Sequence, residues 1–152
     1  MPKRHHDRKV PRMFRAPLTA ALGAAFLFAS AACSGDKGPL AIESIHLAKD
    51  NGSGGIGDTV SEFHPKDGPM HCVTTLNKIE SGAKIHIEYI VLDAGGVKNQ
   101  KIAGTDLTTG AIDNTADGKF SLPNPWPVGK YRCAVALNGG AVKNLDFTVT
   151  AG

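Results

Sequence analysis

Few side chains in this sequence could do chemistry. After residue 32 the histidines are His46, His64, His71 and His86, and none stands at HExxH, HxH or another close metal-ligand spacing. His64, His71 and Cys72 flank one expected loop, so a zinc or copper set could assemble there; solvated or hydrogen-bonded histidines are the alternative. The run DNGSGGIGD, residues 50–58, offers Asp50, Asn51, Ser53 and Asp58 as oxygen ligands. It lacks the EF-hand spacing with Glu at the twelfth position, and it lacks the GK[ST] ending of a phosphate loop. No serine lies in G-x-S-x-G. Ser61, Glu62 and His64 cannot form a relay by themselves, and neither can His71 with Cys72, because adjacent strand residues face opposite sides. Glu88 has no second carboxylate at a spacing that suits glycoside hydrolysis. The expectation is a non-enzyme with no cofactor and no metal.

The elements that would position these residues are short strands. AIESIHLAK (41–49) opens the fold, and the glycine-rich run after it reads as a mobile loop. TVSEFHP follows, with Val60 and Phe63, and is ended by Pro65 and the turn KDGP. HCVTTLN and AKIHIEYIVLD are expected to pair as a hairpin through NKIESG. The second of these is rich in β-branched residues and is expected to be central, with Ile85, Ile87, Tyr89 and Val91 on one face and His86, Glu88, Ile90 and Leu92 on the other. GGVKN is a turn, QKIAGTDL a weaker strand, and GAIDNTADG (110–118) a loop. Pro123, Pro125 and Pro127 forbid a helix through Trp126. YRCAVALN and AVKNLDFTVT close the fold as a hairpin around Gly139 and Gly140. The near repeat of GGVKN and GGAVKN reads as a recurring turn rather than a duplication. About seven strands with frequent turns and no helical periodicity predict an all-β, two-layer sandwich.

Ahead of this domain the chain is of a different kind. Residues 1–32 carry six Lys or Arg against Asp7 alone, then fifteen uncharged residues from Leu18 lead to Cys33. That run is shorter than the roughly 20 residues of a membrane span and suits a helical signal peptide, with Met13 as an alternative start. Ser30, Ala31 and Ala32 before Cys33, then Ser34 and Gly35, resemble the lipobox of bacterial lipoproteins, with Ser30 where Leu is usual. The resemblance implies cleavage before Cys33, lipid on its sulfur, and attachment to a membrane by two or three acyl chains. Ser34 then implies outer-membrane sorting in a host with two membranes. Ala29, Ser30 and Ala31 also make an ordinary small-x-small cleavage signal, which would leave the cysteine free. The expected organisation is a signal peptide over 1–32, a lipidated tether over 33–39 and a sandwich over 40–152. From Cys33 onward 11 basic side chains meet 13 acidic ones, a formal charge of −2, so the basic surface that nucleic acid requires is missing.

With Cys33 committed to lipid, Cys72 and Cys133 remain in an oxidising compartment, either bonded or as two separate buried thiols. Cys133 shares a face with Tyr131, Val135 and Leu137, and Cys72 with Thr74 and Leu76, so both can point into one apolar layer. Cys72, Cys133 and Tyr131 two residues before the second cysteine resemble immunoglobulin-like domains, among them small ones of bacterial surface lipoproteins with unassigned function. The resemblance implies a disulfide across the two sheets and a tyrosine corner. It lacks the core tryptophan after the first cysteine. Trp126, between two prolines, is either a partner-binding anchor or a plug packed over one end beside Tyr131. Function is expected to be a non-catalytic cell-envelope lipoprotein that binds a protein or envelope polymer. The alternative is a structural or accessory subunit of an envelope complex with no soluble ligand.

Overall fold

The structure, a computed structural model, describes residues 38–152, which fall within one compact unit, Gly35–Gly152. The signal peptide, the alternative start at Met13 and the lipid site Cys33 lie outside the described residues. The described chain is all β, with nine strands where about seven were expected. They are β1 (Ile42–Asp50), β2 (Ile56–Val60), β3 (Glu62–Phe63), β4 (Met70–Leu76), β5 (Lys84–Ala94), β6 (Val97–Thr108), β7 (Thr115–Phe120), β8 (Gly129–Leu137) and β9 (Val142–Val149). One sheet has the order β2-β1-β4-β7 and the other β3-β9-β8-β5-β6.

Alternation explains the second sheet. Ile85, Ile87, Tyr89 and Val91 are buried on the inner face of β5, while His86, Glu88, Ile90 and Leu92 stay half-exposed on the outer face. β5 lies between β8 and β6, an interior place. The hairpins on either side are tight. Gly95 and Gly96 both have positive φ, and Asn138 and Gly139 do so in the β8–β9 turn, a type I′ geometry that fits the twist of the flanking strands. The turn therefore recurs, but in the second copy its centre is Asn138–Gly139 rather than the Gly139–Gly140 pair.

Cys72 on β4 and Cys133 on β8 are bonded, with Cα atoms 6.6 Å apart, and tie one sheet to the other. The Tyr131 hydroxyl donates to the Pro127 carbonyl at 2.6 Å, four residues upstream, as a tyrosine corner does. β3 runs parallel to β9 at the edge of the second sheet. Strand order, inter-sheet disulfide and tyrosine corner together resemble an immunoglobulin-like sandwich.

Other expectations are corrected. β4 and β5 are not a hairpin: they belong to different sheets, because each turns its apolar face inward from opposite sides and residues 77–83 cross between layers. Residues 115–118 are not loop but the start of β7, paired with β4 from Thr75↔Thr115 to Met70↔Phe120. Gly118 and Asp117 hid this strand. A Cβ at Gly118 would lie 2.7 Å from Ile87 Cδ1, so glycine is required by the closeness of the facing sheet, and Tyr89 donates its hydroxyl to the Gly118 carbonyl across the same gap.

The strand directions define two ends. At the proximal end the chain enters at Gly38, and the loops 77–83, 109–114 and 138–141 gather there. The distal end gathers the β3–β4 loop, the β5–β6 turn and the proline-rich link 121–128.

Candidate functional site

The proline-rich link and the β3–β4 loop form the walls of an open groove of about 340 Å³ at the distal end, lined among others by Pro65, Lys66, Pro69, Leu122, Pro123 and Trp126. Both walls are held. The Trp126 amide donates to the Pro65 carbonyl at 2.9 Å, joining one wall to the other. Asp67 accepts from the His64 amide at 2.8 Å and pairs with Lys49 at 2.7 Å, which closes the turn before Pro69. Fixed φ at the prolines removes further freedom, so a ligand settling there would meet a largely preorganised surface.

Trp126 itself is a floor and not a projecting anchor. It is 3% exposed and makes edge contacts with Phe120 at 5.6 Å and Tyr131 at 5.3 Å. Tyr89 stacks on Phe120 and Tyr131 on Phe147, with Phe63 edge-on to Phe147, so Trp126 sits inside an aromatic series that fills the distal half of the core. This is the plug packing, beside Tyr131.

The histidines do not converge. His64 is exposed and lies beside Asp67, His71 is buried on the outer face of β4, and Cys72 faces inward in its disulfide, so the His64, His71 and Cys72 set is not assembled. His46 is half-buried on β1 opposite Val73. His86, on the outer face of β5, has Nδ1 2.7 Å from Asp106 Oδ1 on β6 and Nε2 3.1 Å from Glu88 Oε1, the carboxylates accepting. Bonds to Glu88 first and Asp106 second push its pKa up, while Lys101 and then His86 push Glu88 down. Among the described residues no group of three or more His, Cys, Asp or Glu could hold a metal. Ser61 and Glu62 are exposed at the β2–β3 junction, and Glu62 bonds Thr150 rather than His64.

The polar centre that sequence reading missed surrounds His71. Its ring is fully buried, with Nδ1 2.7 Å from Asp117 Oδ2 on β7 and Nε2 3.3 Å from Asp50 Oδ2 at the end of β1. Lys119 bonds the same Asp50 oxygen at 2.8 Å and the Gly54 carbonyl at 3.1 Å. Asp50 Oδ1 accepts from the amides of Gly52 and Gly54, and Asn51 Oδ1 from those of Ser53 and Gly55. The Lys119 bond, helped by those amides and by His71 against the opposing effect of burial, holds the Asp50 carboxyl well below the usual range. Residues 51–55 of the glycine run thus form a hydrogen-bonded bend between β1 and β2, residues 56–58 are strand rather than the expected loop, and Asp50 and Asn51 oxygens are engaged within the bend. With both ring nitrogens bonded and no nucleophile beside it, His71 serves as a clamp. Neither this cluster nor the groove sets a serine or cysteine nucleophile beside a base.

No family model and no curated protein matches this chain. Solved structures are similar at low identity. An immunoglobulin-like protein from Pseudomonas aeruginosa matches at 15% identity and TM-score 0.49, over 76% of this chain and 100% of that one. The soluble domain of PmoD from Methylocystis sp. matches at 13% identity and TM-score 0.42, over 71% of this chain and 90% of that one. A β-glucosidase from Listeria innocua matches at 14% identity and TM-score 0.45 over 75% of this chain, which spans only 16% of that enzyme.

Proposed function

We propose that the chain is a non-catalytic cell-envelope lipoprotein, held at a membrane by lipid on Cys33, whose sandwich binds a protein or an envelope polymer through the distal groove. In a host with two membranes the reading places it at the outer membrane, facing the periplasm. The observation that carries the binding role is the groove itself: a concave, rigid, proline-lined surface over an aromatic floor, at the end of the fold away from where Gly38 enters. Concavity with mixed apolar and polar lining, Lys66 and Asn124 beside Leu122 and the prolines, is what a recognition surface offers. The lipobox resemblance supports the anchor.

Photo-crosslinking amino acids at Lys66 and Asn124, with Thr105 on the second sheet as control, test this in intact cells. The reading expects a discrete adduct from the groove positions and none from Thr105. An adduct that varies with growth condition marks a ligand, and one constant stoichiometric neighbour marks an envelope assembly. Equal labelling of all three positions, or none at the groove, contradicts binding there.

A further inference from the structure

The three most exposed large apolar side chains of the described residues are Ile112 at 82%, Val142 at 57% and Ile79 at 54%, and all three lie at the proximal end. Ile79 and Ile112 occupy neighbouring loops that are fastened to each other on both sides. On one side the Leu76 amide donates to the Asn114 carbonyl at 2.7 Å, and Asn114 Nδ2 returns a bond to the Leu76 carbonyl at 2.8 Å. On the other, the Gly82 amide donates to the Thr109 carbonyl at 3.0 Å and the Thr109 hydroxyl bonds the Glu80 carbonyl. The two isoleucines are therefore presented at the tips of a braced pair of loops rather than on free ones. The fold buries neither of them, so both side chains stand in water at these loop tips.

The entering chain is fastened to the same loops. Asn77 Nδ2 donates to the Pro39 carbonyl at 3.0 Å, the Ala41 amide to Asn77 Oδ1 at 2.9 Å, and Lys78 Nζ to the Gly38 carbonyl at 3.1 Å. Cys33 is five residues before Gly38. Covalent geometry limits that stretch to about 18 Å when fully extended. The sandwich is about 30 Å long by the rise of its nine-residue strands, so its distal end lies beyond the tether's reach. The proximal loops, bonded to the entering chain, are thus the part of the fold held nearest to Cys33.

We propose that the proximal end is a membrane-contact surface, with Ile79 and Ile112 inserted among the headgroups and upper acyl chains of the bilayer that holds Cys33. The inference rests on the lipid anchor proposed above. Charge has little part in it: Lys78, Lys84 and Lys143 at this end are matched by Glu43, Glu80 and Asp113. Contact is thus apolar, and it stays unchanged as salt is raised, unlike attraction of a basic patch to anionic lipid. Docking the domain at this end also stands the sandwich upright and turns the groove away from the membrane.

The test uses full-length protein purified from membranes and reconstituted into vesicles of three parts phosphatidylethanolamine to one part phosphatidylglycerol. Ile79→Cys, Ile112→Cys and, as distal control, Val128→Cys each supply one free thiol for an environment-sensitive fluorophore, since Cys72 and Cys133 are bonded. Intact mass first establishes the acyl chains on Cys33. The inference expects a blue shift and quenching by nitroxide-bearing lipids at 79 and 112, neither effect at 128, and no change in high salt. Acylated, vesicle-bound protein whose positions 79 and 112 stay in water overturns the inference alone. So does shielding of those positions from both water and lipid, which would mark contact with a second protein molecule. Protein without acyl chains on Cys33 overturns the anchor and this inference together.

Discussion

At the scale of single residues, two histidines on outer sheet faces show opposite fates. His71 is enclosed and His86 half-exposed, though both have carboxylates at each ring nitrogen. For His86 the sign is direct: its folded pKa is raised, so the stabilisation from its bonds to Glu88 and Asp106 is fully present below about pH 6.5 and is lost as pH rises through the raised midpoint. Solvent and salt keep that contribution small. NMR titration of the His86 ring should give a midpoint above the ordinary histidine value, moving down toward it in Glu88→Gln and Asp106→Asn; a midpoint indifferent to both would refute the pairing. The His71 cluster was hidden from the sequence because its members sit at 50, 71, 117 and 119, on three strands whose register no local pattern reveals. One signal was present. His71 alternates with Cys72, so if the cysteine faces the core the histidine faces outward, beside whichever strands pair with β4.

At the scale of elements, the strongly alternating segments were legible and the irregular ones were not. On β5, β8 and β9 the inner faces read from the sequence are buried at Ile85, Ile87, Tyr89, Val91, Tyr131, Cys133, Val135, Phe147 and Val149, and partly buried at Leu137 and Leu145. β7 was lost because TADG has loop composition, and its glycine answers a contact across the sandwich that sequence cannot display. Gly118→Ala should destabilise the domain by about 1–3 kcal/mol through overpacking against Ile87. Ile87→Val, which removes Cδ1, should recover part of that loss in the double variant, and additive unfolding energies would contradict the contact. The link between β4 and β8 was legible in kind from export and parity. It closes a separation of 61 residues, so replacing both Cys72 and Cys133 with Ala should lower stability by about 4 kcal/mol in urea unfolding. An unchanged midpoint would show that the bond contributes little.

At the scale of the whole molecule, the two proposed contact surfaces fall at opposite ends. The sandwich gathers its entering chain and most exposed isoleucines at one end and its rigid groove at the other, with the disulfide and aromatic core between them. Sequence alone could supply the leader and the candidate lipid site, since both are local patterns in residues 1–35. It could not supply the groove, whose walls are 56 residues apart at Pro69 and Pro125 and are brought together by the pairing of β4 with β7 and the Trp126–Pro65 bond. It left Trp126 as anchor or plug, because flanking prolines describe a stiff backbone and say nothing of which way the ring turns; the buried ring takes the plug position. The central claim is that lipid on Cys33 holds this folded body at a membrane. Mass spectrometry of the amino-terminal peptide from the membrane fraction tests it most directly. The account predicts a mature chain beginning at Cys33 and carrying diacylglycerol. A chain recovered wholly in the soluble fraction, with the Cys33 thiol unmodified, would contradict it.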